Sequence, residues 1–366
     1  MEILSDLHEM ERLAPEWQEL HESAAHRSLY NEPALCLSWI KHFGTAPPDS
    51  SFIIAIRHQG RLDAVLPLRV VSSCIGDLAK NLRPGRLRKI PIRQIEGLFN
   101  DHSDDTGMLV REGCGSSAAE ALKQVLSSQS FQGAKLGFFP SDSPLTEALR
   151  VIPRSVVLER ETRAVRFLPF METYEAYLAA HPDLHRKLRR SKARLERDFG
   201  PVTLECWTGD EAVEKGFPAF VEVDAHSWKA STPGGESLAN APQARGYYEE
   251  LTQRFARLGR AHVWVLRFDG ITAGSLLSYE SHGVLYAYKT SYKEMFATSG
   301  GHHPGLVMHA MIHEHAWPRF TGVDFMSDWF QKEWKCETYQ VDLEKRISID
   351  PWRWLRGLVR NSSARA

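Results

Sequence analysis

The sequence predicts an α/β (α+β) protein of two tandem domains, each a mixed sheet flanked by helices. A length of 366 residues favours two domains over one. Apolar runs of strand length alternate with segments of helical periodicity, and each half shows helices, a meander, a helix and a further strand. The segment FIIAIRHQGRLDAVLPLRV of the first half resembles VWVLRFDGITAGSLLSYE of the second. We therefore expect duplicated domains at residues 1–160 and 161–366.

The composition is that of an ordinary soluble globular protein, and it argues against several functional classes. Hydrophobic residues make up 43% and charged residues 25% of the chain, and the net charge is −1. This balance gives no global field that would favour DNA or an anionic membrane. No uncharged apolar run approaches the roughly 20 residues of a spanning helix, and the first residues do not resemble a secretory signal. Five scattered cysteines without CxxC spacing fit a reducing cytoplasm.

The first half begins with helix-forming residues and continues with a meander. Residues 1–46 are predicted to be helical, and the HQGRLD between two apolar runs is a hairpin signal. Residues 83–98 are basic and rich in loop formers, so we predict a loop there. The other predicted strands of this half lie at residues 52–57, 64–71, 106–110 and 134–140, and a helix is predicted at residues 116–130.

One segment of the first half fits a nucleotide-binding pattern. GCGSSA at residues 113–118 follows a predicted strand, opens a predicted helix and fits G-x-G-x-x-A. The acidic residue expected about 20 positions further along is missing, since Gly133 and Lys135 occupy that region. We therefore interpret the segment as an ordinary helix start.

A basic helix opens the second half. An extended stretch at residues 155–170 leads into a helical segment that Pro182 interrupts and Gly200 ends. Leucines at helical spacing share one face, and seven Lys or Arg residues lie between Arg186 and Arg197. Two interpretations stay open. One is a solvated cationic face beside a leucine seam, and the other is a surface for a polyanion such as ligand phosphates, acidic polysaccharide or RNA.

The stretch from Gly283 to Trp334 is the one around which we expect the site to form. A strand, two helices and a three-strand meander precede it, with FDG and ESHG at the turns. The stretch itself contains an apolar strand, a glycine-rich loop, a helix, a second strand and a short amphipathic segment. A flexible loop that ends in a helix start offers free backbone N–H groups, which suit a phosphate or pyrophosphate.

Several segments together resemble a known superfamily. They follow the family's order over most of the chain: PALCLSWIKHFG, GRLDAVLPL, LRRSKARLERDFGPV, EVDAHSWK, FDGITAGSLLSYE, YAYKTSY, HPG, VDF and KEWK. With them the chain resembles the Gcn5-related N-acetyltransferases (GNAT), and within these the CelD/BcsL-like or BioF2-like group, relatives of the FemAB peptidoglycan aminoacyltransferases. The resemblance implies two tandem GNAT-like domains with the working site in the second. It also implies acetyl-CoA or another acyl-CoA as donor, and frequent links to exopolysaccharide or cellulose production.

Acyl transfer to an amine needs a base for the ammonium, donors for the carbonyl oxygen and an acid for the leaving thiolate. We expect the catalytic groups to be Glu222, Lys229, Tyr288 and Asp328, with Asp224 and His226 as further candidate bases. The cofactor-binding residues are expected in the loop and the helix start, at Ser299, Gly300, Gly301, His302, His303, Gly305 and Leu306. The acceptor is expected to contact His226, Trp228, Tyr292, Trp334 and Lys335.

Other chemistries find little support in the sequence. His309 and His313 are four residues apart on one helix, but the order HAMIHEH is not HExxH, so we expect no metal. No GxSxG elbow and no GxxxxGK[ST] loop is present, which argues against a serine hydrolase or a P-loop enzyme.

The favoured hypothesis is a cytoplasmic acyl-CoA-dependent N-acyltransferase whose acceptor is a small-molecule or saccharide amine. Two alternatives stay open. The first is a FemAB-type aminoacyltransferase that uses charged tRNA, which the basic helix favours and the near-zero net charge disfavours. The second is a non-catalytic binding protein of the same fold. It is favoured because the loop at 299–305 departs from the superfamily pattern Q/R-x-x-G-x-G/A and because Pro304 has no N–H.

Overall fold

The computed structural model describes residues 1–25, 27–44, 50–74, 91–98, 100, 102–103, 107–127, 131, 133–140, 155–232, 237–297, 302–326 and 334–349. The chain forms two compact units. Unit 1 comprises Met1–Arg163 with Val341–Ala366, and unit 2 comprises Ala164–Gln340. Each unit is a mixed sheet flanked by helices, which confirms the predicted fold class.

The strands, in chain order, are β1 (Glu2–Leu4), β2 (Ser50–His58), β3 (Arg61–Cys74), β4 (Pro91–Gly97), β5 (Leu109–Val110), β6 (Gly133–Pro140), β7 (Ser155–Pro169), β8 (Val202–Thr208), β9 (Ala261–Phe268), β10 (Ile271–Ser281), β11 (Val284–Tyr292), β12 (Gly322–Asp324) and β13 (Glu337–Ile349). The helices are α1 (Leu7–Ser23), α2 (Pro33–Phe43), α3 (Gly115–Ser127), α4 (Tyr174–Ala180), α5 (Pro182–Phe199), α6 (Phe217–Ala225), α7 (Trp228–Ser231), α8 (Pro242–Arg257) and α9 (Pro304–Ala316). A helical turn (Gly209–Glu211) and a π-helical turn (Ala212–Gly216) lead into α6.

Unit 1 has a sheet with the strand order β1-β2-β3-β4-β6-β13, and β5 also pairs with β3. β4 and β6 run parallel, and the other pairs of this sheet are antiparallel. Helix α3 packs its apolar side chains, among them Ala118, Leu122 and Val125, against one face of β2 and β3. The core of unit 1 on this face is mainly aliphatic, with Phe52 as its buried aromatic residue.

Unit 2 has a sheet with the strand order β7-β12-β11-β10-β9-β8, in which β11 and β12 run parallel. Helices α5 and α9 share one apolar core with the sheet, and the predicted leucine seam of α5 (Leu184, Leu188, Leu195) is buried in it. Helices α6 and α8 also contact the sheet. Phe255 of α8 packs on Tyr279 of β10, which lies outside the core of α5 and α9, so α8 covers the opposite face.

Three hairpins in the two units are built by two-residue turns of the same kind. Both residues of each turn have positive φ: 51° and 82° at Gln59 and Gly60, 47° and 76° at Asp269 and Gly270, and 51° and 77° at His282 and Gly283. Positive φ at both positions defines the type I′ turn, whose twist matches that of the flanking strands. The turn signals in HQGRLD, FDG and ESHG were therefore correct predictions.

Three strands were missed from the sequence. Residues 1–46 were predicted to be helical, but β1 occupies Glu2–Leu4 and pairs with β2. Residues 83–98 were predicted to be a loop, but β4 occupies Pro91–Gly97, and β13 was not predicted at all. Polar residues hide β4, because Gln94 and Glu96 are buried in it. Gln94 Nε2 donates to Glu96 Oε1 at 2.6 Å, and Arg69 on β3 donates to the Glu96 carboxylate at 2.9 Å.

No helix among the described residues has the length and hydropathy needed to cross a bilayer.

Candidate active site

Strands β11 and β12 part shortly after they meet. Their parallel pairing covers three residue pairs and ends at Tyr286 and Asp324. β11 continues over residues 287–292, where β10 is its one strand partner in the described part of the chain. The other edge of this segment has no strand partner among the described residues, and of its backbone groups the Thr290 carbonyl accepts a hydrogen bond from Lys229. An extended ligand with amide groups can pair with such an edge as an added strand.

A turn directly after Asp324 carries the chain away from β11. Met326 has a φ of 51°, an uncommon value for a residue other than glycine. Its N–H donates a hydrogen bond of 2.8 Å to Oδ1 of Asp324, as in an Asx turn. The aspartate side chain thereby holds the turn that ends the parallel pairing and opens the gap between the strands.

Asp324 is also the titratable group at this branch point. Val323 and Phe325 lie in the core of α5 and α9, so strand alternation places the Asp324 side chain on the opposite face. The residue is 6% exposed, and burial raises the pKa of its carboxyl to about 6, against the lowering effect of the hydrogen bond from Met326. It accepts no further hydrogen bond from the described residues. A buried carboxyl of this kind is suited to proton transfer near neutral pH.

A β-bulge lies in β11 at Tyr288. Its neighbours Ala287 and Lys289 pair with consecutive residues of β10, so Tyr288 itself has no partner in the ladder. Its hydroxyl lies 3.1 Å from the hydroxyl of Tyr247 on α8. Side chains of a strand alternate between the two faces of the sheet, and a bulge shifts this alternation by one residue. The side chains after Tyr288 therefore lie on the opposite faces from those that the start of β11 predicts.

The free end of β11 reaches the start of α9. Pro304 is the first residue of α9, and the first hydrogen bond of the helix runs from Val307 N–H to the His303 carbonyl, at 3.1 Å. The N–H groups of Gly305 and Leu306 are thus among those that a helix start leaves without helical partners. A Cβ added to Gly305 would lie 3.7 Å from the ring of Tyr292, the last residue of β11. The helix start and the free strand end are therefore neighbours.

A polar network around the buried Asp224 holds the same strand end. Lys229 Nζ donates to the Thr290 carbonyl at 2.6 Å and to the Ser291 hydroxyl at 3.3 Å. The Ser291 hydroxyl donates to Asp224 Oδ1, and Asp224 Oδ2 accepts from the Leu238 N–H at 2.7 Å. Asp224 is fully buried and both its oxygens are occupied. The network fixes α6 and α7 against the end of β11.

His302 lies just before α9 and is 8% exposed. Its Nε2 lies 2.8 Å from Oδ2 of Asp198, near the end of α5. Hydrogen bonds from Arg197 and then from His302 lower the pKa of Asp198 to about 2. This contact ties the segment before α9 to α5.

Two of the predicted acceptor and catalytic residues sit at the exposed end of α6. Glu222 forms an ion pair with Lys293, 2.7 Å away, and His226 Nδ1 lies 2.9 Å from the Glu222 carbonyl. Trp228, which starts α7, is 44% exposed. The structure thus brings Glu222, His226, Trp228 and Lys229 together near the end of β11.

Other predicted residues lie elsewhere or outside the description. Trp334 is fully buried, with its ring 4.2 Å from that of His313 in the core, and Lys335 is exposed with a φ of 48°. Ser299, Gly300, Gly301 and Asp328 lie outside the described residues. Asp324 was not among the predicted site residues, although it stands in the VDF segment. The signal that could have found it is an acidic residue at the end of an apolar strand.

Comparison with known proteins gives the chain a family context. The sequence profile of the acetyltransferase (GNAT) domain family matches residues 182–336. FemX has a similar structure, with a TM-score of 0.56 and 13% identity over 96% of this chain and 98% of FemX. A conserved protein of unknown function from Bacteroides thetaiotaomicron VPI-5482 has a TM-score of 0.53 and 9% identity over 94% of this chain and 98% of its own. No curated protein matches the sequence.

At these identities the two structures support the fold alone, whereas the family match covers α5 to the region of Trp334. That range contains the parted strands, the start of α9 and the network around Asp224. Residues 182–336 thus match the acetyltransferase (GNAT) domain family, and this match supports an acyltransferase.

Proposed function

We propose that unit 2 transfers an acyl group from acetyl-CoA or another acyl-CoA to an amine of a sugar or amino acid. The observation that carries this proposal is the free edge of residues 287–292, which ends beside the first turn of α9. The pantetheine arm of an acyl-CoA is extended, contains amide groups and ends in a diphosphate. A free strand edge suits the amides, and a helix start suits the diphosphate.

The residues assigned to the donor follow from this placement. The backbone of residues 287–292 would pair with the pantetheine amides, and the N–H groups of Gly305 and Leu306 would bind diphosphate oxygens. His303 stands next to these groups as the last residue before α9. The sequence adds Ser299, Gly300 and Gly301 as further donors from the loop. Pro304 removes one N–H from the helix start, so the site depends on its neighbours.

The transfer step needs a proton acceptor close to the thioester. The amine nitrogen attacks the carbonyl carbon, the C–N bond forms, the C–S bond breaks and the thiolate takes a proton. Asp324 stands where the two strands part, with one carboxylate oxygen held by Met326 and the other available to the ammonium. We therefore propose Asp324 as the base, next to the sequence-derived candidates Glu222 and Asp328. Tyr288 is the sequence-derived acid for the thiolate.

The acceptor would approach from the side of α6 and α7. Trp228 offers an exposed aromatic face there, which suits the apolar face of a sugar ring. We assign Lys229 to holding the strand end, because it donates to the Thr290 carbonyl. The CelD/BcsL-like resemblance suggests a cytoplasmic role in exopolysaccharide or cellulose biosynthesis, and we propose that as the setting.

A second candidate is transfer of an aminoacyl group from tRNA, as in FemAB-type enzymes. The basic surface of α5 and the similarity in fold to FemX favour it. In that case the free edge of β11 would face a different donor, and acyl-CoA would not bind.

The test is calorimetric titration of the full chain with acetyl-CoA, with two matched variants. Gly305→Glu places a carboxylate at the start of α9, where it favours the helix but repels a diphosphate. His315→Glu places the same charge near the exposed end of that helix. We expect the wild type and His315→Glu to bind. We expect Gly305→Glu to bind at least about thirtyfold more weakly, as for a loss of about 2 kcal/mol.

Each other outcome has a definite meaning. Unchanged affinity of Gly305→Glu would show that the diphosphate lies elsewhere. No heat with wild type at millimolar acetyl-CoA would remove the acyl-CoA proposal, and a thermal shift with aminoacyl-tRNA alone would favour the second candidate.

A further inference from the structure

The carbonyl of Thr290 faces the edge of β11 that has no strand partner among the described residues. In an antiparallel pair, hydrogen-bonded residue pairs alternate with pairs whose N–H and C=O groups point away from each other. The Lys293 N–H donates to the Ala273 carbonyl at 2.8 Å, which marks this pair as a bonded one. Three steps along the regular register, Leu276 and Thr290 form a pair of the other kind. The N–H and C=O of Thr290 therefore point toward the edge at which the donor is proposed to bind.

The ammonium of Lys229 already occupies this carbonyl. Its Nζ lies 2.6 Å from the Thr290 oxygen, and the lysine belongs to α7, so a side chain covers this part of the edge. A carbonyl oxygen has two lone pairs, but a donor amide on the second one would bring the positive end of its N–H, and the carbon atoms beside it, against the ammonium. The ammonium and a donor amide therefore compete for one oxygen.

A second acceptor for the ammonium lies beside the first. The Ser291 hydroxyl oxygen is 3.3 Å from Lys229 Nζ, a longer contact than the one to Thr290. This hydroxyl donates to Asp224 Oδ1, and both Ser291 and Asp224 are buried. The Asp224 carboxylate attracts the ammonium toward Ser291, and solvent screens a buried charge little. A small rotation of the lysine side chain can thus exchange the carbonyl for the hydroxyl without leaving the ammonium unpaired.

We propose that Lys229 holds the place of a donor amide and is displaced when the acyl-CoA binds. The ammonium gives up the Thr290 carbonyl to an amide N–H of the acyl-CoA arm and shifts to the Ser291 hydroxyl, next to Asp224. Only hydrogen bonds change, and the ammonium keeps its proton. Lys229 is in this role a positioning residue that sets the affinity for the donor. The inference rests on the proposed function, because it concerns the same edge and the same donor.

The test is calorimetric titration of the full chain with acetyl-CoA. Lys229→Met removes the ammonium and keeps the length of the side chain, so acetyl-CoA should bind about three- to tenfold more tightly than to wild type, because one hydrogen bond no longer has to be exchanged. The same variant should unfold at a lower urea concentration without acetyl-CoA, because the ammonium no longer holds Thr290. A merely structural role would lower both affinity and stability. Lys229→Ala, a second variant without the ammonium, should show the same gain in affinity.

Two controls separate the exchange from a general effect of charge. Lys229→Arg keeps a cationic donor and should bind acetyl-CoA no more tightly than wild type. Lys293 directly follows β11, its side chain is 12% exposed, and it pairs with Glu222. Lys293→Met thus removes the same charge from the same strand end without uncovering the Thr290 carbonyl, and it should also bind no more tightly than wild type.

The outcomes separate this inference from the proposed function. Equal or weaker binding by Lys229→Met and Lys229→Ala, while wild type binds, overturns the inference alone. An equal gain in Lys229→Arg or in Lys293→Met shows that the gain does not come from the Thr290 carbonyl, and it also overturns the inference. Failure of wild type to bind acetyl-CoA overturns the proposed function and the inference with it.

Discussion

Units 1 and 2 both contain a meander and a parallel strand pair, but they use the pair differently. In unit 1, β4 pairs with β6 from Gln94 to Glu96 and ends one residue later, at Gly97. In unit 2, β11 pairs with β12 up to Tyr286 and continues to Tyr292. The sheet edge without a strand partner thus arises because β11 is long and pairs with β12 only at its start. The comparison teaches that a different strand continues past the parallel pairing: β11 over residues 287–292 in unit 2, and β6 over residues 136–140 in unit 1.

The carboxylates next to the two parallel pairs also differ. Glu96 of unit 1 is buried and binds both Gln94 and Arg69. Asp324 of unit 2 is equally buried but accepts one hydrogen bond, from Met326. A carboxylate held by a cation and an amide is a structural group, whereas one with an unused oxygen beside an open edge can take part in chemistry.

The helices that follow the two strands differ in their buried faces as well. The inward face of α3 is made of Ala118, Leu122 and Val125. The corresponding face of α9 carries His309 and His313, both fully buried. Burial lowers the pKa of His309 to about 3. Burial, followed by the neighbouring His309, holds the pKa of His313 well below its usual value.

The largest expected effect comes from removing the Asp324 carboxylate, which is the one of the two that we propose to take part in chemistry. Asp324→Asn keeps an oxygen for the Met326 N–H but removes the base, so kcat/KM for acyl transfer should fall about 10²- to 10⁴-fold. In wild type, kcat/KM should decrease as pH falls below about 6, because the raised pKa of Asp324 leaves it protonated there. The measurement is a pH series of initial rates for both proteins.

The matched control is Glu96→Gln in unit 1, which should lower stability and leave the rate of transfer unchanged. A rate for Asp324→Asn within a factor of three of wild type, with the same pH profile, would show that Asp324 has only a structural role.

A smaller effect concerns the pH dependence of protein stability, to which the buried histidines of α9 should contribute and the aliphatic face of α3 should not. His309 stays neutral in the folded state, but the unfolded chain binds a proton below about pH 6.5. Its contribution to stability is therefore complete above pH 6.5 and is lost progressively as pH falls toward 3. Each such histidine should change the free energy of unfolding by about 1.4 kcal/mol per pH unit within this window.

Urea unfolding at pH 7, 6 and 5 measures this slope. His309→Leu should reduce the pH dependence of stability, and His8→Leu, an exposed residue of unit 1, should leave it as in wild type. An unchanged slope in His309→Leu would mean that the histidine is charged or solvated in the folded state.

The sequence allowed the local elements of both units to be predicted. The type I′ turns were visible as Gln59-Gly60, Asp269-Gly270 and His282-Gly283 between apolar runs, because such turns need residues that tolerate positive φ. The order of loop, helix and strand around α9 was also correct. These features depend on residues that are near one another in the chain.

Features set by distant residues could not be predicted. The strand character of β4 depends on Arg69, which lies far along the chain and neutralises Glu96. The bulge at Tyr288 depends on the register with β10, which periodicity does not reveal. The importance of Asp324 depends on where β12 leaves β11, and this follows from pairing geometry rather than from composition.

The most direct measurement is amide hydrogen exchange of the full chain with and without acetyl-CoA. The account predicts that amides within residues 287–292 and at Gly305 and Leu306 gain protection on binding, while residues 94–97 of β4 do not. Unchanged exchange at 287–292 under saturating acetyl-CoA, or equal protection at 94–97, would contradict the claim that the free edge of β11 receives the donor.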